Sequence, residues 1–541
     1  MSQYQQAKTH RQTALILLPL LSLSLFFLSW ELIVDMGLVP QTLLASPSAV
    51  VELFFAKLTN ASPDGMLLQE HAWISIKEAF LGYFLALAVG IPLGLAMGWF
   101  RLAEGLARPI FEFIRPIPPI AWIPLTIYWF GIGLTGKVFI IWIGGIVPCV
   151  INSYVGVRMT NPVFLQMGRL YGATNWQLFW TVCIPSALPM VFGALQIALA
   201  WCWMNLVGAE LLAANGGLGF LIQCGRKLGR PDLVVLGMVT VAMTGVFIGI
   251  LIHYVEKKLL AGMRRSQSIA NEIQIESRER RPLRLDDILM NRWFLHTVSV
   301  SLFLGLWYWT VYMGVFGRGL CYPHEVLQEI GNLMTRRLAG KGLWDHAWDS
   351  TRRVFIGFGI ACALGIPLGF FMGINKYFNA FFNPIFNLIK PMPPISWVSL
   401  SILWLGIGEE PKIFIIAIGA FVPIVLNAYN GIRLIDEELY DVVRMAGGRM
   451  KEIVEVSFPA AVPSIFAGLQ ISLSGAWSCV LAAELVSARS GLGFVIVQGM
   501  NSGKASMVIA GMLLIALIAS LCSYGIDSLE KKICPWRREI M

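Results

Sequence analysis

Apolar residues along this chain gather into runs of about 20 or more, the length a helix needs to cross roughly 30 Å of hydrocarbon. The runs fall at residues 14 to 34, 74 to 99, 108 to 130, 137 to 157, 186 to 212 and 236 to 256. They recur at residues 295 to 316, 351 to 375, 381 to 405, 412 to 432, 460 to 486 and 505 to 527. This pattern predicts an all-α polytopic membrane protein with about twelve transmembrane helices in two sets of six. The third run of each set holds several prolines, which predicts a broken or tilted span rather than a straight helix. Residues 257 to 293 change character, with Lys257, Lys258, Arg264, Arg265, Arg278, Arg280, Arg281 and Arg284 among acidic and polar neighbours, and read as a charged linker. The first run follows Lys8 and Arg11 but exceeds the roughly 7–15 residues of a signal-peptide core. It reads as a retained transmembrane helix.

The two sets are copies. Residues 115 to 158 align without a gap on residues 390 to 433, with 24 identities in 44 positions that include prolines, tryptophans and glycines in register. The same offset of 275 pairs His71-Ala72-Trp73 with His346-Ala347-Trp348, and Gly172 with Gly447. Residues 1 to 256 and 294 to 541 are therefore read as two units of one duplicated fold.

Composition and charge sharpen this picture. Apolar residues make up 57% of the chain and charged residues 13%, with a mean hydropathy of +0.69, which excludes a soluble enzyme, a disordered scaffold and a fibrous protein. The net charge of +9 is spread between apolar runs, as in membrane proteins, and calls for no nucleic acid. With a cytoplasmic N-terminus, the inside loops of the first half and the linker carry 16 Lys or Arg, against five outside. Both termini are then cytoplasmic, the halves have parallel topology, and a pseudo-twofold axis runs along the membrane normal. Arg318, Arg336, Arg337, Lys341, Arg352 and Arg353 fit this rule poorly, and residues 324 to 342 predict an amphipathic helix on the outer surface.

Each half carries one unusual loop between its fourth and fifth spans. Asn161 and Pro162 start a helix there that stops at Gly172, and Thr174 with Gln177 forms the capping box of a second helix that runs as far as Pro185. A helix, a glycine turn and a second helix make a protruding knob, although a plain amphipathic connector would carry the same residues. The pattern Gln166-Met167-Gly168-Arg169-Leu170-Tyr171-Gly172-Ala173, ending at Ile184-Pro185, resembles the EAA loop of ABC importer permeases. So does its copy Asp441-Val442-Val443-Arg444-Met445-Ala446-Gly447-Gly448, ending at Phe458-Pro459. The segments Gly208-Ala209-Glu210-Leu211-Leu212 with Gly217-Leu218-Gly219, and Ala482-Ala483-Glu484-Leu485-Val486 with Gly491-Leu492-Gly493, resemble the nitrate, sulfonate and taurine branch of that family.

The resemblance implies a type I importer permease fold with two permease units fused in one bacterial inner-membrane chain. It implies coupling helices that dock on two cytoplasmic ATP-binding subunits through Gln166, Arg169, Gly172, Ala173, Asp441, Arg444, Gly447 and Gly448. It also implies an extracytoplasmic solute-binding protein, with ATP and Mg held by the partner subunit and no cofactor on this chain. The sequence departs from the family in three ways: Gln166 stands where the family has a carboxylate, both copies lack the paired alanines, and the second copy is one residue shorter between glycine and proline.

The fifth span suggests a pathway. Gln196, Trp203 and Glu210 are spaced by seven, as are Gln470, Trp477 and Glu484, so each trio forms one stripe that drifts only about 20° per seven residues. Such a stripe faces the bundle interior or a water-filled cavity, and interhelical packing would account for it equally well. Trp203 with Asn205, Trp477 with Ser478, and Trp122 and Trp397 in the proline-rich segments are the pathway candidates. Glu210 and Glu484 read instead as ordering the loops to Gly217 and Gly491. Half-helix N-termini beside Trp122 and Trp397 would suit a small anion such as nitrate or a sulfonate.

The six histidines lack a metal-ligand spacing, and there is no GxxxxGK[ST] motif, so neither a metal site nor a catalytic or ATP site is assigned. The nine cysteines, isolated beside apolar stretches, read as small apolar filler. The alternative function is an ion-coupled secondary transporter with two six-helix halves, for which Glu210 and Glu484 would be the repeated ionisable groups.

Overall fold

A computed structural model describes residues 2 to 260 and 292 to 536. The first half runs through α1 (Ser2–Asp35), α2 (Pro47–Thr59), α3 (Leu68–Trp99), α4 (Arg101–Ile114), a 3-10 turn (Pro119–Trp122), α5 (Ile123–Phe130), α6 (Leu134–Arg158), α7 (Pro162–Leu170) and α8 (Asn175–Leu178). It closes with α9 (Ile184–Ala213), α10 (Leu218–Lys227) and α11 (Pro231–Leu260). The second half repeats this as α12 (Arg292–Tyr312), α13 (Pro323–Thr335), α14 (Leu343–Ile374), α15 (Lys376–Ile389), a 3-10 turn (Pro394–Ser396), α16 (Trp397–Leu405), α17 (Glu410–Arg433), α18 (Glu437–Met445), α19 (Met450–Ser487), α20 (Leu492–Asn501) and α21 (Ala505–Ile533). Among the described residues the fold is all helical, with one isolated bridge between Leu338 and Lys341. Among the described residues ten helices are long and apolar enough to cross a membrane, or twelve if each bent pair counts as one span. The linker expected at residues 257 to 293 lies, from residue 261 to 291, outside the described residues.

The bent pairs are the proline-rich third runs. Helix α4 and the segment Pro119–Phe130 meet at 84°, and α15 and the segment Pro394–Leu405 at 70°. Pro116, Pro118 and Pro119, and Pro391, Pro393 and Pro394 in the copy, remove amide donors and push the preceding residues out of the α region, so no helix continues through them. Helix α13 forms where residues 324 to 342 predict one, ending earlier, at Thr335. Its counterpart α2, unforeseen, has a buried Lys57.

Tight pairs build each half. Gly82, Gly90, Gly94 and Gly98 line the face of α3 against α6, where a Cβ at Gly90 would sit 2.7 Å from Cys149 Cβ. Gly357, Gly365, Gly369 and Gly373 repeat this between α14 and α17, where a Cβ at Gly369 would lie 2.8 Å from Ala428 Cβ. Small residues at these intervals let membrane helices gain dispersion contact that lipid does not supply.

The halves interlock. Helix α1 packs on α15 of the opposite half, where the Ser22 hydroxyl donates to the Phe381 carbonyl at 2.5 Å. Helix α12 packs on α4, where the Ser299 hydroxyl donates to Leu106 O at 2.5 Å. The Trp129 indole N–H donates to Gly319 O at 2.8 Å, and its copy Trp404 donates to Leu43 O at 2.7 Å. Each half thus clasps the first helix of the other and the loop that follows it, and one buried apolar cluster runs through both.

Candidate functional site

The knobs form as the caps require. Asn161 Oδ1 accepts from the Val163 amide at 2.9 Å, Pro162 occupies the first turn of α7, and Gly172 takes φ +81°. Gln177 Oε1 accepts from the Thr174 amide at 2.8 Å while Thr174 Oγ1 accepts from the Gln177 amide at 3.3 Å. In the copy, Gly447 takes φ +74° and Glu452 accepts from the Arg449 amide at 2.7 Å. Both glycines occupy left-handed backbone that side chains rarely adopt.

One expectation is corrected here. The second helix of the first knob does not stop at Pro185; α8 continues through a π-helical turn, Phe179–Cys183, directly into α9. The reason lies in the extra residue of the first copy. Gly172 and Gly447 are 275 apart, whereas Trp203 and Trp477, and Glu210 and Glu484, are 274 apart. A π turn absorbs one inserted residue without rotating what flanks it. The second copy, lacking the insertion, runs as unbroken α-helix in α19.

Gln166, Arg169 and Gly172 on the first knob are exposed, as are Asp441 and Gly447 on the second, while Ala173 and Gly448 are half-buried at the turns. Arg444 lies on α18, its side chain outside the described residues. Apolar side chains dominate the tips, with Leu170 87%, Tyr171 88% and Met445 82% exposed. Phe164, Met167 and Leu170 repeat every three residues, as do Leu439, Val442 and Met445. The missing alanines are compensated locally: Gly168 and Ala173 in the first knob become Val443 and Gly448 in the second, so a small residue always faces a larger one.

The fifth-span stripe bonds largely to the last span of its own half. Gln196 bonds His253 at 3.0 Å and also Glu256, both on α11, and Gln470 donates to Glu530 on α21 at 3.1 Å. Trp203 donates to Val241 O on α11 at 3.1 Å. A period of seven keeps one helix face together, and the last span of the same half covers that face. Gln196, Gln470 and Trp203 therefore bind the fifth span to the last span of their own half. Asn205 and Ser478 spend their donors within their own helices, on Trp201 O at 2.7 Å and Ser474 O at 3.2 Å. Trp477 is buried with no partner for its indole N–H, and the indole nitrogens of Trp122 and Trp397 are likewise buried and unpartnered.

Glu210 and Glu484 order the following loops, as their position suggests. The Ser75 hydroxyl donates to Glu210 Oε1 at 2.6 Å, the Gly219 amide to Oε2 at 2.7 Å, and the Leu218 amide to Ser75 Oγ at 2.8 Å. The Gly217 amide donates to His71 Nδ1 at 3.2 Å. Every bond recurs: Ser350 to Glu484 at 2.7 Å, Gly493 to Glu484 at 2.8 Å, Leu492 to Ser350 at 2.8 Å and Gly491 to His346 at 3.1 Å. Glutamate, serine and histidine thus each accept from one of the free amides at the start of α10 or α20. The roles of Ser75, Ser350, His71 and His346 were missed in the sequence, although all four recur at the offset of 275.

The surrounding charges do not recur. Lys137 pairs with Glu78 in the first half, where Lys57 also pairs with Asp64, which in turn bonds His71. Position 353, the counterpart of Glu78, is Arg353, which donates to Glu484 at 2.6 Å and to Glu409 at 2.5 and 2.7 Å. Lys412, counterpart of Lys137, bonds Glu409 at 2.9 Å. Glu409 lies just before α17; burial alone would raise its carboxyl, but Arg353 and Lys412 outweigh that and hold it at about 2.

Two interlocked halves, each with a protruding knob and a clamped fifth span, define a duplicated membrane permease. The chain belongs to the family described as binding-protein-dependent transport system inner membrane component, which matches it twice, at residues 90–265 and 365–538. It is 32% identical over 241 residues to the taurine transport system permease protein TauC of Escherichia coli, covering 44% of this chain and 86% of TauC. It is 33% identical over 231 residues to the putative aliphatic sulfonates transport permease protein SsuC of Bacillus subtilis, covering 43% of this chain and 82% of SsuC. The nitrate import permease protein NrtB of Leptolyngbya laminosa is 30% identical over 186 residues, covering 34% and 67%. Each relative matches less than half of this chain, as expected if two permease units are fused.

Proposed function

We propose that this chain supplies both permease units of an ATP-driven ABC importer in a bacterial inner membrane, residues 1 to 256 and 294 to 541 being the units and residues 257 to 293 the cytoplasmic connector. The solute is a small anion of the taurine, sulfonate or nitrate kind, in keeping with the relatives' names. Both termini are cytoplasmic, and a solute-binding protein delivers from the other side. This chain is not itself an enzyme; ATP and Mg belong to two cytoplasmic ATP-binding subunits.

The observation that carries this reading is the pair of exposed apolar knobs built by the same glycine turn in both halves. Phe164, Met167 and Leu170, and Leu439, Val442 and Met445, enter the partner grooves as anchors, with Gln166, Arg169, Ala173, Asp441, Arg444 and Gly448 around them. Trp122, Trp397 and Trp477, whose indole N–H groups have no partner, remain the pathway candidates. ATP binding draws the knobs together and shifts the halves between inward-open and outward-open states. The ion-coupled alternative would need carboxyls free to exchange protons with a pathway, whereas Glu210 and Glu484 are buried and committed to loop amides.

The test is purification of the chain with its partners, followed by Gly172→Val and Gly447→Val substitution. Two ATP-binding subunits per chain, lost in the double variant while the protein still inserts, are expected. A chain that purifies alone and takes up solute under an ion gradient would refute the reading.

A further inference from the structure

Gly208, on α9 about 8 Å short of the helix end at 1.5 Å per residue, lies where the two halves meet. A Cβ there would lie 3.5 Å from Ile120 Cγ1 of its own half and 3.4 Å from Ile395 Cδ1 of the opposite half. Ile120 and Ile395 are equivalents at the offset of 275, each in the 3-10 turn that breaks a third span, and they are 0% and 2% exposed. Both fifth spans, α9 and α19, touch both of these turns. The four elements therefore converge where the two halves meet, with Ile120 and Ile395 at the contact.

We infer that Ile120 and Ile395, closing on Gly208, form the permeation gate of this chain, on the extracytoplasmic side. The inference rests on the importer reading, which puts the C-terminal ends of α9 and α19 outside. A dry aliphatic constriction between the halves excludes water and with it any hydrated anion. Three features suit these residues to the task. Proline-locked turns hold both isoleucines, so each moves with its bent pair instead of relaxing independently. Glu210, two residues beyond Gly208, ties the end of α9 to α3 and α10, so the surface that receives them is fixed. Ile120 and Gly208 belong to one half and Ile395 to the other, so separation of the halves opens the contact directly.

The experiment uses the complex with its ATP-binding subunit in proteoliposomes, with radiolabelled taurine and nitrate as probes. Without ATP, the wild type should hold both probes at background, while the Ile120→Ala, Ile395→Ala double variant should leak about tenfold faster or more. Leu at both positions should restore the seal. Because the alanine variant removes two core side chains, its ATP hydrolysis serves as the check on folding. Independently, in a chain with its nine native cysteines replaced by serine or alanine and a protease site within residues 262 to 290, Gly208→Cys with Ile395→Cys, which face each other across the halves, is treated with a short, reducible methanethiosulfonate cross-linker. The cut halves should run joined on a non-reducing gel, and reductant should restore both separation and transport. Alanine variants that hydrolyse ATP and leak no more than wild type, or halves that never join, would overturn the gate. A wild-type chain that binds no ATP-binding subunit would overturn the importer reading instead, and the joining of the halves would still decide the gate.

Discussion

Glu484→Gln should destabilise the protein more than Glu210→Gln, and the difference measures what a buried cation adds to an otherwise identical clamp. Both substitutions preserve shape. At Glu210 two donors, the Ser75 hydroxyl and the Gly219 amide, point at the two carboxyl oxygens. An amide has one acceptor oxygen, so one donor meets an NH2 group and is left unsatisfied, at about 1–3 kcal/mol. At Glu484 the same loss occurs, and Arg353, 1% exposed, also loses one of its two carboxyl partners. Removing one partner of a buried pair costs about 3–5 kcal/mol when the remaining charge is left uncompensated. Glu409 still compensates Arg353 in part, so the excess for Glu484→Gln should be about 2 kcal/mol.

The assay is thermal unfolding of the purified chain in one detergent at one scan rate, followed by the fluorescence of its 19 tryptophans. An excess of that size should lower the Tm of Glu484→Gln by several degrees beyond Glu210→Gln, since 1 kcal/mol moves a unit of this size by about 2–4 °C. Adding Arg353→Met to Glu484→Gln should recover part of the loss, because the stranded cation is gone. Equal losses in the two single variants, or a double variant that falls by the sum of its parts, would refute the reasoning.

Deleting Thr181 from the π turn should leave docking of the ATP-binding subunit intact, since it only restores the α-helical register of the second half. Deleting Val454 from α19 should turn its knob by about 100° and abolish docking there, and co-purification stoichiometry reads both outcomes. Glu409, held at about 2 against an ordinary 4.5, contributes stability that is fully present above pH 4.5 and is lost as pH falls toward 2. The Tm gap between wild type and Glu409→Gln should therefore be constant from pH 7 to pH 5 and narrow below 4.5; a gap that narrows above pH 5 would refute the assignment. The second knob carries Asp436, Glu437, Glu438, Asp441, Arg444, Arg449, Lys451, Glu452 and Glu455, whereas the first carries Arg169 alone, so salt should weaken docking at the second first. Native mass spectrometry across a salt series should pass through a species with one ATP-binding subunit, and simultaneous loss of both would refute unequal docking.

The spans, the duplication and the glycine-turned knobs were legible because each rests on a local signal: run length, register of prolines and glycines, and caps within four residues. Contacts between distant segments were not. Ser22 bonds a carbonyl 359 residues away, and nothing in α1 marks it as belonging to the opposite half. The stripe of Gln196 and Trp203 was visible as a face of α9, but periodicity defines a face without saying what covers it, and α11 covers this one. The one-residue difference between the knobs was visible as a count, yet only the structure locates it in the turn Phe179–Cys183.

Two copies in one chain separate what the fold requires from what it tolerates. The clamp repeats bond for bond, through Ser75 and Ser350, His71 and His346, Glu210 and Glu484, and the glycine loops. The charges beside it were exchanged together: Glu78 became Arg353 while Leu134 became Glu409, and Lys137 and Lys412 kept their place by changing partner. A buried arginine at position 78 of the first half would keep Glu210 but find leucine where its copy finds Glu409, and it would strip buried Lys137 of its partner. The geometry of the clamp is thus the constrained quantity, and charge is free to drift provided each buried ion keeps a partner. That is the behaviour expected of a part that holds the end of α9 in place, two residues from the Gly208 contact between the halves.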